Sequence, residues 1–182
     1  MTGWRRYVTP LVALVLAGLA GGCALPPIPG EGPLRYRDSL FSDVIVNHNL
    51  VYGRAPNAQG IQVPLDLDLY RPAGDTQTSR PALVWLHGGA WSFGDKNNAI
   101  PVDVASTFAK LGYVVVLPNY RLLGSGCSAE PFNCTSAAIE SKYDAQAAVR
   151  WLRAYANVLG VDPSRIAVGG ESAGGVIAAL VG

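Results

Sequence analysis

Residues 166–175 read Ile166-Ala167-Val168-Gly169-Gly170-Glu171-Ser172-Ala173-Gly174-Gly175, and a small-residue apolar run, Val176 to Val181, follows. A short strand-like run, a turn and a helix-like run give the pattern Gly-x-Ser-x-Gly, here Gly170 to Gly174, chemical meaning. A serine hydroxyl is a weak nucleophile until a base takes its proton. A sharp turn between strand and helix lifts the Ser172 hydroxyl to where a base and a substrate can reach it. Side chains at Gly170 or Gly174 would crowd such a turn, so glycine fits both places. The helix that starts just after Ser172 turns free N–H groups and the positive end of its dipole toward the same spot, and both favour a developing negative charge. The bland alternative is a glycine-rich turn with a capping serine.

A second motif argues against that alternative. His87-Gly88-Gly89-Ala90-Trp91 follows Ala82-Leu83-Val84-Trp85-Leu86, an apolar run that suits a buried strand. Two glycines after a strand let backbone N–H groups approach a ligand closely. The N–H groups of Gly88 or Gly89, with that of Ala173 just after the serine, are candidate donors to the oxyanion formed when a serine attacks an ester. His87 is a candidate support for the loop. Trp91 either lines an acyl or alcohol pocket or packs the loop.

Together the two motifs resemble the α/β-hydrolase superfamily, and within it the carboxylesterase and lipase branch marked by a His-Gly-Gly loop. The resemblance covers roughly residues 40 to 182. It implies an α/β fold with a mostly parallel sheet, helices on both faces and an N-terminal antiparallel hairpin. Its nucleophile elbow is Gly170 to Gly174, with Ser172 as catalytic nucleophile, and no cofactor or metal is implied. Ala90 stands where many relatives have a third glycine. That leaves the backbone donors intact but removes any ground for expecting bulky tertiary-alcohol esters. Similar Asn-Tyr-Arg runs, here Asn119-Tyr120-Arg121, support the oxyanion loop in that family.

Upstream, Arg5 and Arg6 precede an uncharged stretch from Tyr7 to Gly30 whose most apolar part, Leu11 to Ala20, has signal-peptide length and is too short to span a bilayer. Leu19-Ala20-Gly21-Gly22-Cys23 resembles a bacterial lipoprotein processing site, although leucine sits one place early. The expectation is a leader over residues 1–22, lipidation at Cys23, a Pro/Gly-rich tether to residue 36 and an esterase domain over 37–182. Localisation is then exported and lipid-anchored to a bacterial membrane, or secreted. Removing residues 1–22 takes away two arginines and turns the side-chain charge from +1 to −1. A near-neutral domain without a basic cluster argues against nucleic-acid partners. Oligomeric state is left open.

Within the domain, Phe41 to Tyr52 and Ile61 to Tyr70 read as strands joined through Gly53 to Gly60. The second alternates, with Val63, Leu65, Leu67 and Leu69 on one face. Pro64 suggests an edge strand. Residues 99–111 read as a helix capped by Gly112, Tyr113 to Leu117 as a buried parallel strand, 124–136 as a loop, and Ala137 to Leu159 as one long helix. In an exported protein Cys127 and Cys134 can close a small disulfide.

A serine hydrolase of the resembling kind places its acid and then its histidine after the serine. The sequence stops ten residues beyond Ser172 and contains only His48 and His87. The expectation is therefore the N-terminal part of a carboxylesterase, C-terminally truncated, with little hydrolysis on its own. Its substrate would be a small ester. The rivals are an exported peptidase or thioesterase on the same scaffold, a transferase, and a non-catalytic lipid-anchored binding protein.

Overall fold

A computed structural model describes residues 32–57, 59–122 and 131–182, with the side chains of 131–133 excepted. The chain divides into Met1–Gly32 and Pro33–Gly182, and the account that follows concerns the second unit. The expected leader, Cys23, the tether up to residue 31 and Cys127 lie outside the described residues. Cys134 is disulfide-bonded.

Five strands form one sheet: β1 (Val44–Pro56), β2 (Gln62–Pro72), β3 (Arg80–Leu86), β4 (Val114–Pro118) and β5 (Val161–Gly170), in the order β1-β2-β4-β3-β5. The sheet is mixed. β3 runs parallel to both β4 and β5, while β2 is antiparallel to β1 and β4. The helices are α1 (Ala99–Leu111), α2 (Pro131–Ala154), α3 (Ala156–Leu159) and α4 (Ala173–Val181). Strand alternation sends Ala82, Val84, Leu86, Val114 and Val116 into a core with α2 and α4. It sends Leu83, Val115 and Leu117 into a second core beneath α1. Helices thus cover both faces, as a two-sided apolar sheet requires.

Several sequence expectations change in detail. β1 continues through Gly53 to Pro56, so the hairpin turn is shorter than Gly53 to Gly60. Pro64 is not on an edge strand, since β2 has neighbours on both sides. β4 accompanies β2 only from Leu67 to Tyr70, however, so at Pro64 only β1 is alongside and the missing N–H costs no ladder bond there. α2 begins at Pro131, inside the stretch read as loop, and breaks at Tyr155 before α3 resumes. β5 spans Val161–Gly170, well beyond its apolar tripeptide.

Asp68, on the polar side of the β2 alternation, is fully buried. A bulge in β1 between Asn47 and Leu50 explains it. There Asn49 N–H and His48 Nδ1 donate to the Asp68 carboxylate at 2.9 and 2.6 Å, and the buried Lys96 ammonium sits 3.2 Å away. Burial alone would push this carboxyl upward; the Asn49 amide, His48 and Lys96 outweigh it, and the pKa is lowered. A second ionic knot lies near the start of β3. Asp75, almost completely buried, accepts from Arg35 and from Arg80 Nε, each at 2.7 Å.

Candidate active site

β3 and β5 are neighbours, in register at Leu86 opposite Gly170, so the chain leaves both strands at one end of the sheet. This is the carboxyl end of parallel strands, where ligands bind in open α/β sheets. The two motifs, 83 residues apart along the chain, meet there. A Cβ built on Gly88 would stand 3.4 Å from Ser172 Cβ and 3.2 Å from Glu171 Cγ. Gly88 therefore sits tightly against the elbow, where even a methyl would press on Glu171 and Ser172.

The elbow itself is tight. A methyl on Gly170 would lie 2.5 Å from the Gly174 carbonyl carbon and 2.7 Å from Leu86 O. One on Gly174 would lie 2.7 Å from His87 O and closer still to Leu86 O. Glu171 N–H donates to Leu86 O, and Gly174 N–H to Glu171 O. Ser172, exposed at the apex, has φ 50 and ψ −118 and makes no side-chain cap to α4. A non-glycine residue in that region is strained by roughly 1–3 kcal/mol, and such strain clusters at functional sites.

The His87–Trp91 loop is braced from beneath. His87 is buried and stacks on Tyr120, ring centroids 4.3 Å apart. Its Nδ1–H donates to Gly88 O at 2.7 Å, and Tyr120 donates its hydroxyl to His87 O at 2.8 Å. Burial lowers the His87 pKa, only partly offset by the Gly88 carbonyl and the carboxylates of Asp95 and Glu171, so the ring is neutral near pH 7. Its Nε2 is buried without a partner among the described residues. His87 is thus committed to the loop. His48 sits on β1, at the opposite edge of the sheet from β5. The residues after β4 hold the rest: Asn119 accepts from Lys96 N–H and donates to Asp95, and Arg121 grips Asp144 with Nε and Nη2 at 2.9 Å.

One contact was not anticipated. The Gly88 N–H donates to Glu171 Oε1 at 3.3 Å. Of the candidate oxyanion donors, Gly88 is therefore engaged, while the N–H groups of Gly89 and Ala173 have no hydrogen-bond partner among the described residues. Adjacency of Glu171 to the serine was the only sequence signal for this contact. Among the described residues no group of three or more His, Cys, Asp or Glu is placed to hold a metal ion.

The BD-FAE family profile matches residues 67–182, more than half of the chain. The chain belongs to the BD-FAE family. This BD-FAE chain is 41% identical over 101 residues to carboxylesterase NlhH of Mycobacterium tuberculosis, a stretch covering 56% of this chain and 28% of that protein. It is 33% identical over 161 residues to the probable carboxylic ester hydrolase LipM of the same organism, covering 88% of this chain and 32% of that one. The chain thus spans about a third of the length of these curated relatives. Among solved structures, butyrate-bound esterase 2 of Thermogutta terrifontis matches with a TM-score of 0.57 and 32% identity, over 72% of this chain and 42% of that one. Esterase B of Lactobacillus rhamnosis, bound to a tributyrin phosphonate inhibitor, gives 0.60 and 28%, over 80% and 41%. The BD-FAE chain shares the α/β-hydrolase fold of these esterases.

Proposed function

We propose that this chain carries the nucleophile and the oxyanion half of a serine carboxylic ester hydrolase acting on small esters. The observation that carries the reading is the strained, exposed Ser172 standing against Gly88 at the shared end of β3 and β5. In the first step Ser172 Oγ bonds to the ester carbonyl carbon and its proton passes to a base. The carbonyl oxygen, now an oxyanion, takes hydrogen bonds from the N–H groups of Gly89 and Ala173, in line with the axis of α4. Losing one such donor costs about 3 kcal/mol of transition-state stabilisation. The tetrahedral centre collapses, the alcohol leaves with a proton, and water releases the acid from the acyl-serine in a second turn of the same chemistry.

His87 holds the loop and His48 is across the sheet, so neither serves as the base. An imidazole and its orienting carboxylate are assigned to a part of the working enzyme outside these residues. The domain arrangement proposed with this reading is a leader over 1–22, a lipidated Cys23 and tether to residue 36, and the esterase domain from 37. That arrangement puts the enzyme outside the cytoplasm on a lipid anchor, and a Cys23→Ala variant released from the membrane fraction would support it.

The test of the catalytic reading is covalent labelling by a fluorophosphonate probe on the full gene product that carries this chain. The adduct is expected on the peptide containing Ser172 and is expected to vanish in Ser172→Ala. An intact, folded protein that takes up no probe would leave the non-catalytic binding reading in its place.

A further inference from the structure

The loop after His87 has an unusual backbone. Gly89, Ala90 and Trp91 have φ of 123, 49 and 59, so three successive residues have positive φ and two of them are not glycine. Such conformations persist only where the surroundings over-determine them. Within the loop, Ser92 and Phe93 N–H both donate to Gly89 O. Those bonds curl the segment but do not fix it to the domain. His87 and Glu171 hold it at the Gly88 end. Asn119 anchors the chain from Asp95 onward, so something must hold the positive-φ stretch between those two anchors.

That hold comes from α2. The Trp91 indole N–H donates to Ser141 Oγ at 3.1 Å, across 50 positions of sequence. Ser141 is fully buried, and its own hydroxyl proton goes to Ala137 O one turn back, at 2.6 Å. A hydroxyl has one proton and two lone pairs. With the proton committed to the helix backbone, a lone pair is left for Trp91. The half-buried indole packs against the larger core. Serine mid-helix is a mediocre choice when buried among apolar neighbours. Here it is the acceptor that a half-buried indole N–H takes.

We propose that Ser141 is a positioning residue of the oxyanion loop: through Trp91 it fixes the strained segment, and so sets where the Gly89 N–H points relative to Ser172. Trp91 is accordingly a strut and not a pocket wall. The mechanical part of the proposal stands on the contact alone; its catalytic consequence rests on the serine-hydrolase reading above.

The experiment compares wild type, Ser141→Ala, Trp91→Phe and the double variant in the full gene product. Amide hydrogen exchange is followed over residues 87–93, with β4 and α1 as internal references, alongside kcat and KM for p-nitrophenyl acetate. Each single variant is expected to speed loop exchange about tenfold with the reference elements unchanged. Each should lower kcat about tenfold while KM stays within about twofold, because the lost alignment acts only in the transition state. The double variant should be no worse than the poorer single, since both changes remove one contact. Loop exchange unmoved in Trp91→Phe overturns the proposal. So do effects that multiply in the double variant, or faster exchange with kcat intact in an active enzyme. If Ser141→Ala does not fold, Trp91→Phe decides alone, since it leaves the Ser141 hydroxyl bonded to Ala137 O. Coupled changes in loop exchange in a protein that never hydrolyses esters would keep the strut and discard the serine-hydrolase reading.

Discussion

Replacing Ser172 by glycine is expected to stabilise the fold while abolishing any chemistry at the elbow. Ser172 has φ 50 and ψ −118, is exposed, and caps α4 with no side-chain hydrogen bond. Little packing is therefore lost with its side chain. The backbone strain released is roughly 1–3 kcal/mol, and glycine gives back about 0.5–1 kcal/mol through the freer unfolded chain. The net gain is about 0–2.5 kcal/mol, or a Tm higher by up to several degrees for a domain of this size. Ser172→Ala is the necessary control, because alanine removes the hydroxyl but keeps the strained φ. The assay is urea unfolding of wild type, Ser172→Ala and Ser172→Gly, read at equal m-value so that midpoints compare directly. Ser172→Gly is expected to unfold last, with the other two close together. A glycine variant at or below the alanine variant would refute the reasoning, since it would mean that the turn stores no strain.

Gly174→Ala is expected to cost about 1–3 kcal/mol by overpacking against Leu86 O and His87 O, a loss that equilibrium unfolding would register. His87 gives a pH signature: its pKa is lowered by burial, so the folded state keeps it neutral while the unfolded chain takes up a proton below about 6.5. Its contribution is in place above that pH and is lost as pH falls below it. Unfolding midpoints from pH 7.5 to 5.5 should decline less in His87→Phe than in wild type. Asp75→Ala strands the buried Arg80 guanidinium and is expected to lower stability by about 3 kcal/mol at pH 7. Because Arg35 and Arg80 hold the Asp75 carboxyl well below its usual range, despite its burial, the wild-type advantage persists at neutral pH and fades as pH drops below about 3.9. Peptide mapping without reductant is expected to link Cys134 to Cys127, with a stability loss of roughly 2 kcal/mol on reduction.

The elements that could be read from sequence were those whose pattern is local. Ala82 to Leu86 and Val114 to Leu117 are continuous apolar runs, so they had to be buried strands, and the glycines at 88, 170 and 174 mark close backbone approaches. What escaped were pairings between distant residues. Nothing near Asp68 says that a bulge in β1 and a lysine from the loop after β3 will neutralise it, so its place in the alternation read as polar surface. Pro64 signalled an edge correctly in its chemistry but not in the strand order, because β4 is shorter than β2. The Gly88–Glu171 and Trp91–Ser141 hydrogen bonds exist only once β5 and α2 are docked. Helix periodicity likewise ran straight through Tyr155, whose φ of −99 and ψ of 8 end α2.

The pairing of β3 with β5 also has a consequence during synthesis. β3 leaves the ribosome early, yet on that side Val84 pairs with Val168 and Leu86 with Gly170, which are made much later. At translation rates of roughly 5–20 residues per second, one flank of this central, mostly apolar strand waits on the order of 4–17 seconds for its neighbour. During that interval its unpaired edge is a template for another nascent chain, so yield in a cell should depend on translation speed and on chaperones that shield a half-built sheet.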